Sequence, residues 1–348
     1  MLYNLKNIQN ENVGGKKVVL RVDVDVPLEN GQIQDESRLN AWFPTLQYLL
    51  EHQATVYLIG HLGRPKGVEE KFTLRPVASW IAGKLSSTVQ DQVVGDFKGW
   101  KLSESVFLLE NIRFYKEEEE NNEEFAKKLA SLGDIYVNDA FASAHRAHAS
   151  TEGITRFLPS FAGLRILKET EELSKVLENP NRPLAIIIGG AKIETKLPLV
   201  EKMHVVADLV LVGGEIAEND KILLKVAHEK VPDRKSVLLV ADLGVELKDI
   251  TPKSAENFLQ VLQNAQTVVW NGPMGLVEEE AFALGTKTLA EGIASLNCYK
   301  ILGGGDTVSC IQKMGLLSKF NFVSIGGGAM LELLSGERLP GLLALEQK

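Results

Sequence analysis

Runs of β-branched and aliphatic residues alternate with longer stretches whose apolar positions recur every three or four residues. A change of period from two to 3.6 and back predicts βαβ units and mainly parallel sheets. Strands are predicted at 17–24, 55–59, 106–109 and 134–137 in the first half. In the second half they are predicted at 185–188, 209–212, 237–240, 267–270, 299–302 and 322–325. Helical periodicity is clear at 123–132 and 253–264. The acidic run at 117–120, with Glu123 and Glu124, reads as a solvated helix start and not as a metal site.

A boundary falls near 163–184. Residues 163–178 form one charged amphipathic stretch with Leu167, Leu173, Val176 and Leu177 on its apolar face. It ends in Asn179-Pro180-Asn181-Arg182-Pro183, where proline stops a helix. A helix joining two α/β lobes is the expected arrangement, and 348 residues suit two domains.

Composition narrows the function. Hydrophobic residues make up 45% and charged residues 24%, the balance of a globular chain with true cores. The net charge of −8 argues against general nucleic-acid binding, so an anionic ligand must be met by a local basic cluster. Cys298 and Cys310 lack metal or disulfide spacing and read as reduced thiols. With no signal-peptide core and no apolar run of spanning length, the chain is expected to be cytoplasmic.

Ligands of open parallel sheets bind at the carboxyl ends of the strands. In the second half those positions are glycine-rich: Gly189-Gly190-Ala191-Lys192, Gly213-Gly214, Asn271-Gly272-Pro273-Met274-Gly275, Gly303-Gly304-Gly305-Asp306-Thr307 and Gly326-Gly327-Gly328-Ala329. One such loop would be an ordinary tight turn; five point to a phosphate-binding edge. GxxxxGK[ST] is absent, and no GxGxxG opens the first βα unit of either half. The first half instead carries Asp23 and Asp25, Arg38, His61 and Arg64, Arg113, and His145-Arg146-Ala147-His148 at the equivalent places. Repeated guanidinium groups there suit a small ligand bearing phosphate and carboxylate.

The wording of these segments resembles one family. Arg21-Val22-Asp23-Val24-Asp25-Val26-Pro27-Leu28, residues 61–65, 108–114, Asn138-Asp139-Ala140-Phe141 through His148, 189–196, 270–275, 303–307 and 326–329 are similar, in order, to phosphoglycerate kinase signatures. The resemblance runs from about residue 5 to the tail Leu339-Pro340-Gly341. It implies two doubly wound parallel-sheet (Rossmann-like) lobes joined by a long helix, with the C-terminal tail returning to the N-lobe. The implied phosphoglycerate-binding domain is 1–165 plus the tail 338–348, the interdomain helix and linker 163–182, and the nucleotide-binding domain 183–337. The implied activity is reversible phosphoryl transfer between 1,3-bisphosphoglycerate plus MgADP and 3-phosphoglycerate plus MgATP, in glycolysis and gluconeogenesis, by a monomer.

On matching positions, Asp23, Asp25, Arg38, His61, Arg64, Arg113 and Arg146 would hold the phosphoglycerate. Arg38, Lys192 and Lys196 would serve catalysis. Gly190, Lys192, Lys196, Gly214, Gly304, Gly305, Thr307 and Gly327 would meet the nucleotide. Asn271, Pro273 and Glu278 would lie along its ribose and adenine, and Asp306 would hold Mg²⁺.

The chain departs from the family pattern twice. Asp25 replaces an asparagine, which adds like charge toward an anionic substrate, so Asp25→Asn is expected to tighten binding unless an arginine pairs with Asp25. After Gly214, Glu215-Ile216-Ala217-Glu218-Asn219-Asp220 leads almost directly to a helical stretch at 221–231. Some tens of residues that build the adenine slot are missing by comparison. A dinucleotide-dependent oxidoreductase would share the sheet but needs the absent fingerprint. A binding or scaffolding homologue would suit the shortened lobe, yet Arg38, Lys192, Lys196 and Asp306 are retained.

Overall fold

The computed structural model describes residues 3–191, 193–219 and 236–347, with backbone alone at 193–195 and 219. The chain divides into two compact units, Leu2–Glu171 with Arg338–Lys348 and Glu172–Glu337. The helix Leu164–Glu178 spans the change from one to the other.

The first unit contains β1 (Lys17–Arg21), a small antiparallel hairpin of β2 (Leu28–Glu29) and β3 (Gln32–Ile33), and β4 (Thr55–Ile59). It continues with β5 (Gln90–Val94), β6 (Phe97–Lys101), β7 (Val106–Leu109), β8 (Ile135–Asn138) and β9 (Ser160–Ala162). The main sheet runs β5-β6-β7-β4-β1-β8-β9. All pairs from β7 to β9 are parallel, while β5 and β6 are joined antiparallel at one edge. Val18, Val19 and Leu20 are completely buried, as expected of a parallel strand covered on both faces.

The predicted strand 17–24 stops at Arg21, although Val22 still donates its N–H to Ile59 O at 3.0 Å. The chain then leaves the sheet and carries Asp23 and Asp25 into a loop. Hairpin β5–β6 was not legible. Four of the five residues of β5 are exposed, so an edge strand there carries no apolar alternation.

The helix Ser37–Glu51 buries Leu39, Trp42, Leu46 and Leu49 against this sheet. Trp42 also donates its Nε1–H to Asp23 O at 2.9 Å. That bond ties the helix carrying Arg38 to the end of β1; truncating so large a buried side chain costs about 3–5 kcal/mol. The returning tail is held by Lys6 N–H to Leu345 O at 3.1 Å and Gly341 N–H to Ala144 O at 2.9 Å.

The second unit holds β10 (Leu184–Ile188), β11 (Leu209–Val212), β12 (Val237–Val240), β13 (Thr267–Asn271), β14 (Tyr299–Gly303) and β15 (Phe322–Val323). Their order is β12-β11-β10-β13-β14-β15, parallel throughout. β10 is the first strand in sequence yet lies between β11 and β13. The order therefore reverses between β10 and β13, where open α/β sheets form their ligand crevice. β15 is shorter than the predicted 322–325. Cys298 and Cys310 are free thiols, the first half-buried and the second buried.

Candidate active site

The carboxyl ends of β1, β4, β7 and β8 lie along one edge of the first sheet, because those strands are parallel neighbours. The loops that leave them bring most of the expected groups together. Asp23 is 1% exposed. Its Oδ2 accepts the N–H of Ala142 at 2.9 Å, and its Oδ1 is buried with no partner among the described residues. Burial raises its carboxyl pKa, against the pull of Arg38 and Arg21.

Asp25 is engaged on both sides. Its Oδ1 accepts the N–H of Gly63 at 2.9 Å, and its Oδ2 lies 3.7 Å from Arg38 Nη1. Arg38 also donates to Asp25 O at 2.6 Å. Of the two cases the sequence left open for Asp25, repulsion of an anion or pairing with an arginine, this geometry is that of the second. Gly63, at φ +64°, presents both its N–H to Asp25 and its carbonyl to Arg113 Nη1 at 2.8 Å. A Cβ at Gly63 would stand 2.3 Å from the Phe72 ring, so only glycine fits this crossing.

His61 Nδ1 lies 2.6 Å from Arg21 Nη2. Burial first, then Arg21, Arg113, His148 and Arg146, hold the imidazole pKa well below 6.5. His145 is lowered to about 4 and His148 to about 3, both chiefly by burial, with Arg146 and Arg113 among the further causes. Arg113 is lowered to about 10 by burial, against the pull of Glu119 at 3.3 Å, and stays charged at neutral pH. The histidines are therefore neutral donors or acceptors, and arginines carry the positive field. Arg146 shares this field and donates its Nε–H to His145 Nε2 at 3.1 Å. Arg64 is exposed beyond Gly63 and makes no hydrogen bond or ion pair among the described residues; it stands outside the buried group. Shifted titrations at His61, Arg113, His145 and His148, gathered at one sheet edge, are the pattern of a functional site.

Two members of this network had no role assigned from sequence. Arg21 is completely buried and donates to Ser150 Oγ at 2.9 Å and Val22 O at 2.5 Å. Glu118 is also completely buried, which corrects the reading of 117–120 as a solvated helix start at this one residue. The helix Lys116–Glu119 turns this one carboxylate inward, where it accepts from Ser150 N–H at 2.9 Å and Ser150 Oγ–H at 2.5 Å. A charged residue closing the apolar run Val18-Val19-Leu20 was the available signal for Arg21.

In the second unit the glycine loops meet at the crossover of β10 and β13. Gly189 N–H donates to Asn271 O at 2.9 Å and Gly190 N–H to Pro273 O at 2.8 Å. Gly272, at φ +95°, would place a Cβ 2.1 Å from Gly189 O. Gly214 is also too close for a side chain, with a Cβ position 2.6 Å from Gly190 N. Gly305 and Gly327 open the helices Gly305–Lys313 and Gly327–Leu334, and the Gly327 Cβ position is 3.5 Å from Gly304 Cα. Two helix N-termini therefore reach the same edge, where their N–H groups favour phosphate.

Lys196, 9% exposed, donates to Asn271 Oδ1 at 2.5 Å. Burial lowers its pKa to about 8, against the attraction of Asp306. Asn271, placed along the ribose from sequence, is 3% exposed, and its amide holds Lys196 and faces Met330 Sδ at 3.7 Å. Asp306 is exposed in the first turn of its helix, next to Thr307, whose Oγ1 is buried without a partner among the described residues. Glu278 is exposed. Lys192 and the stretch 221–231 lie outside the described residues.

The sequence profile described as phosphoglycerate kinase matches residues 8–231 and 221–337. The chain belongs to the phosphoglycerate kinase family. A phosphoglycerate kinase of Dictyoglomus turgidum is 41% identical over 390 positions, covering 98% of each chain. That of Moorella thermoacetica is 41% identical over 392 positions, covering 99% of each. The solved phosphoglycerate kinase of Coxiella burnetii superposes with a TM-score of 0.83 at 35% identity, covering 98% of each chain. The two-lobed α/β fold and the phosphotransferase activity on phosphoglycerate expected from the sequence stand with that membership. Against the Dictyoglomus phosphoglycerate kinase, at least 42 of the 390 aligned positions have no residue in this 348-residue chain (390 − 348).

Proposed function

We propose that the first lobe binds 3-phosphoglycerate and 1,3-bisphosphoglycerate, and that the second binds the nucleotide. The observation that carries this is the cluster of buried and half-buried arginines near His61, built on a parallel-sheet edge. Arg38, Arg113 and Arg146, with the exposed Arg64, would take phosphate and carboxylate oxygens bidentately. The unpartnered Asp23 Oδ1 would accept a hydrogen bond from a substrate hydroxyl.

In the second lobe the N–H groups at Gly304, Gly305 and Gly327, with Lys192 and Lys196, would hold nucleotide phosphates, while Gly190 and Gly214, whose N–H groups are bonded to Pro273 O and Met274 O, would border them without a side chain. Pro273 and Glu278 would border the ribose and base. Asp306 offers one exposed carboxylate beside the orphaned Thr307 Oγ1. Among the described residues no group of three or more potential metal ligands exists. A single carboxylate with hydroxyl and phosphate oxygens suits Mg²⁺ brought in by a nucleotide, not a protein-caged metal. When bound, that ion would neutralise charge between adjoining phosphates.

Transfer needs no covalent enzyme intermediate. The acyl–phosphate bond breaks as a bond to the terminal ADP oxygen forms, leaving a carboxylate. Arg38, Lys192 and Lys196 would stabilise charge on the migrating group, and the rest of the site aligns it. A protonated Lys196 fits this role, because an arriving phosphate raises its pKa above the present value of about 8.

No helix among the described residues is long and apolar enough to cross a membrane. A cytoplasmic monomer acting on these small molecules, without nucleic acid, completes the proposal. A coupled assay with 3-phosphoglycerate and ATP tests it, with turnover expected for the native chain. Arg38→Ala should lower kcat at least about a hundredfold, roughly 2.7 kcal/mol, with the fold intact. A folded native chain without turnover would establish a binding protein in its place.

A further inference from the structure

Four groups form a continuous hydrogen-bonded chain behind the phosphoglycerate lobe's arginine field. Glu118 Oε2 accepts the N–H of Ser150 at 2.9 Å and Glu118 Oε1 its hydroxyl hydrogen at 2.5 Å. With that hydrogen spent, Ser150 Oγ accepts the Nε–H of Arg21 at 2.9 Å. Arg21 Nη2 then meets His61 Nδ1 at 2.6 Å.

The direction of both Arg21 bonds is determined. A guanidinium can only donate, so His61 Nδ1 is the acceptor and its single ring hydrogen sits on Nε2. Both Glu118 oxygens face donors, which is the pattern of the ionised carboxylate. Arg21, Glu118 and Ser150 are all completely buried, so no solvent competes for these bonds. The Ser150 carbonyl is itself fixed by Tyr136 Oη–H at 2.6 Å.

We propose that Glu118, whose carboxylate is hydrogen-bonded to Ser150 and lies 3.7 Å from His148 Nδ1, is a positioning residue acting through Ser150 and Arg21 to lock His61 in the neutral Nε2–H tautomer. The locked tautomer presents the substrate with a fixed hydrogen-bond donor and not with a base. This rests on the reading of that lobe as the phosphoglycerate site. The carboxylate fixes the hydroxyl rotor, which turns a lone pair to Arg21 Nε, and this bond, with that of Nη1 to Val22 O at 2.5 Å, aims Arg21 at His61. Asp23 and Asp25 face the same field from the β1 loop, but neither is hydrogen-bonded to Arg21 or His61.

The test uses the full chain with Glu118→Gln and, because an uncompensated buried Arg21 could prevent folding, Ser150→Ala, which removes one oxygen and keeps both charges. Nitrogen-15 NMR of the imidazole rings reads the His61 tautomer without substrate. Steady-state kinetics read the KM for 3-phosphoglycerate and for ATP separately. In the native chain His61 should show a protonated Nε2 and a bare Nδ1. In Ser150→Ala the two tautomers should mix, and KM for 3-phosphoglycerate should rise about tenfold with kcat and the KM for ATP nearly unchanged. Ser150→Thr, which restores the hydroxyl, should recover the native signature. A native tautomer retained in folded Ser150→Ala would overturn the positioning chain. A mixed tautomer with an unchanged KM for 3-phosphoglycerate would overturn the assignment of His61 to the substrate instead.

Discussion

Arg38 Nη1 lies 2.6 Å from the carbonyl oxygen of Asp25 and 3.7 Å from its carboxylate. The side chains are 31% and 40% exposed, so the pair is partly screened by solvent and its contribution is modest, about 0–1 kcal/mol. Its value is directional, since Asp25 limits where the guanidinium can swing.

Asp25→Asn should therefore weaken 3-phosphoglycerate. The amide keeps one oxygen for Gly63 N–H but offers no charge to Arg38. A loss of up to about fivefold in affinity is expected, within the worth of a partly exposed ion pair. Isothermal titration at low salt measures it, and tighter binding by the variant would return Asp25 to a simple repulsive role.

Asp306→Ala should weaken MgADP about tenfold or more while leaving 3-phosphoglycerate within twofold. The carboxylate is exposed on the second lobe and forms no part of the arginine field. Calorimetry with each ligand separately decides it. Equal losses for both ligands would remove Asp306 from the metal–nucleotide site.

Asp139 predicts a pH-dependent stability. It is completely buried and accepts the N–H groups of Arg165 at 2.8 Å and Ile166 at 3.0 Å, the opening turn of the helix Leu164–Glu178. Thr45 Oγ1 donates to its other oxygen. Burial raises its pKa from 3.8 to about 7, against these hydrogen bonds. A carboxyl raised on folding stabilises fully below its unfolded pKa, and that contribution is lost as pH climbs through the folded value. Between pH 5 and pH 8 the native Tm should fall by a few degrees relative to Asp139→Asn, whose amide oxygen still caps the helix. Parallel melting curves across that range would refute the assignment.

The shortened stretch bears on nucleotide choice. The family profile restarts at residues 221–231, and at least 42 aligned positions of the Dictyoglomus relative have no residue here. An apolar slot gives base affinity, whereas lysine, metal and N–H groups give phosphate affinity. If the unmatched positions fall in that slot, as the sequence pattern after Gly214 implies, GTP should support turnover within about tenfold of ATP, roughly 1.4 kcal/mol. The ratio of kcat/KM values measures this, and a hundredfold preference for ATP would mean that the base is enclosed after all.

The strands and their loops were legible because a parallel strand covered on both faces must be apolar throughout. Val18, Val19 and Leu20 in β1, and all five residues of β10, obey that rule. Glycine at the ends of those strands is a local requirement too, set at Gly272 by backbone packing against Gly189. What the sequence could not determine was which polar residues turn inward. Glu118 sits in a run of four acids, and nothing local distinguishes it from its neighbours. It is chosen by Ser150 and Arg21, brought beside it by the pairing of β1 with β8 and the loop that follows. Likewise Asp25 read as a stray charge until the helix carrying Arg38 was docked through Trp42. Burial and charge pairing depend on contacts between distant segments, and only the folded chain supplies those.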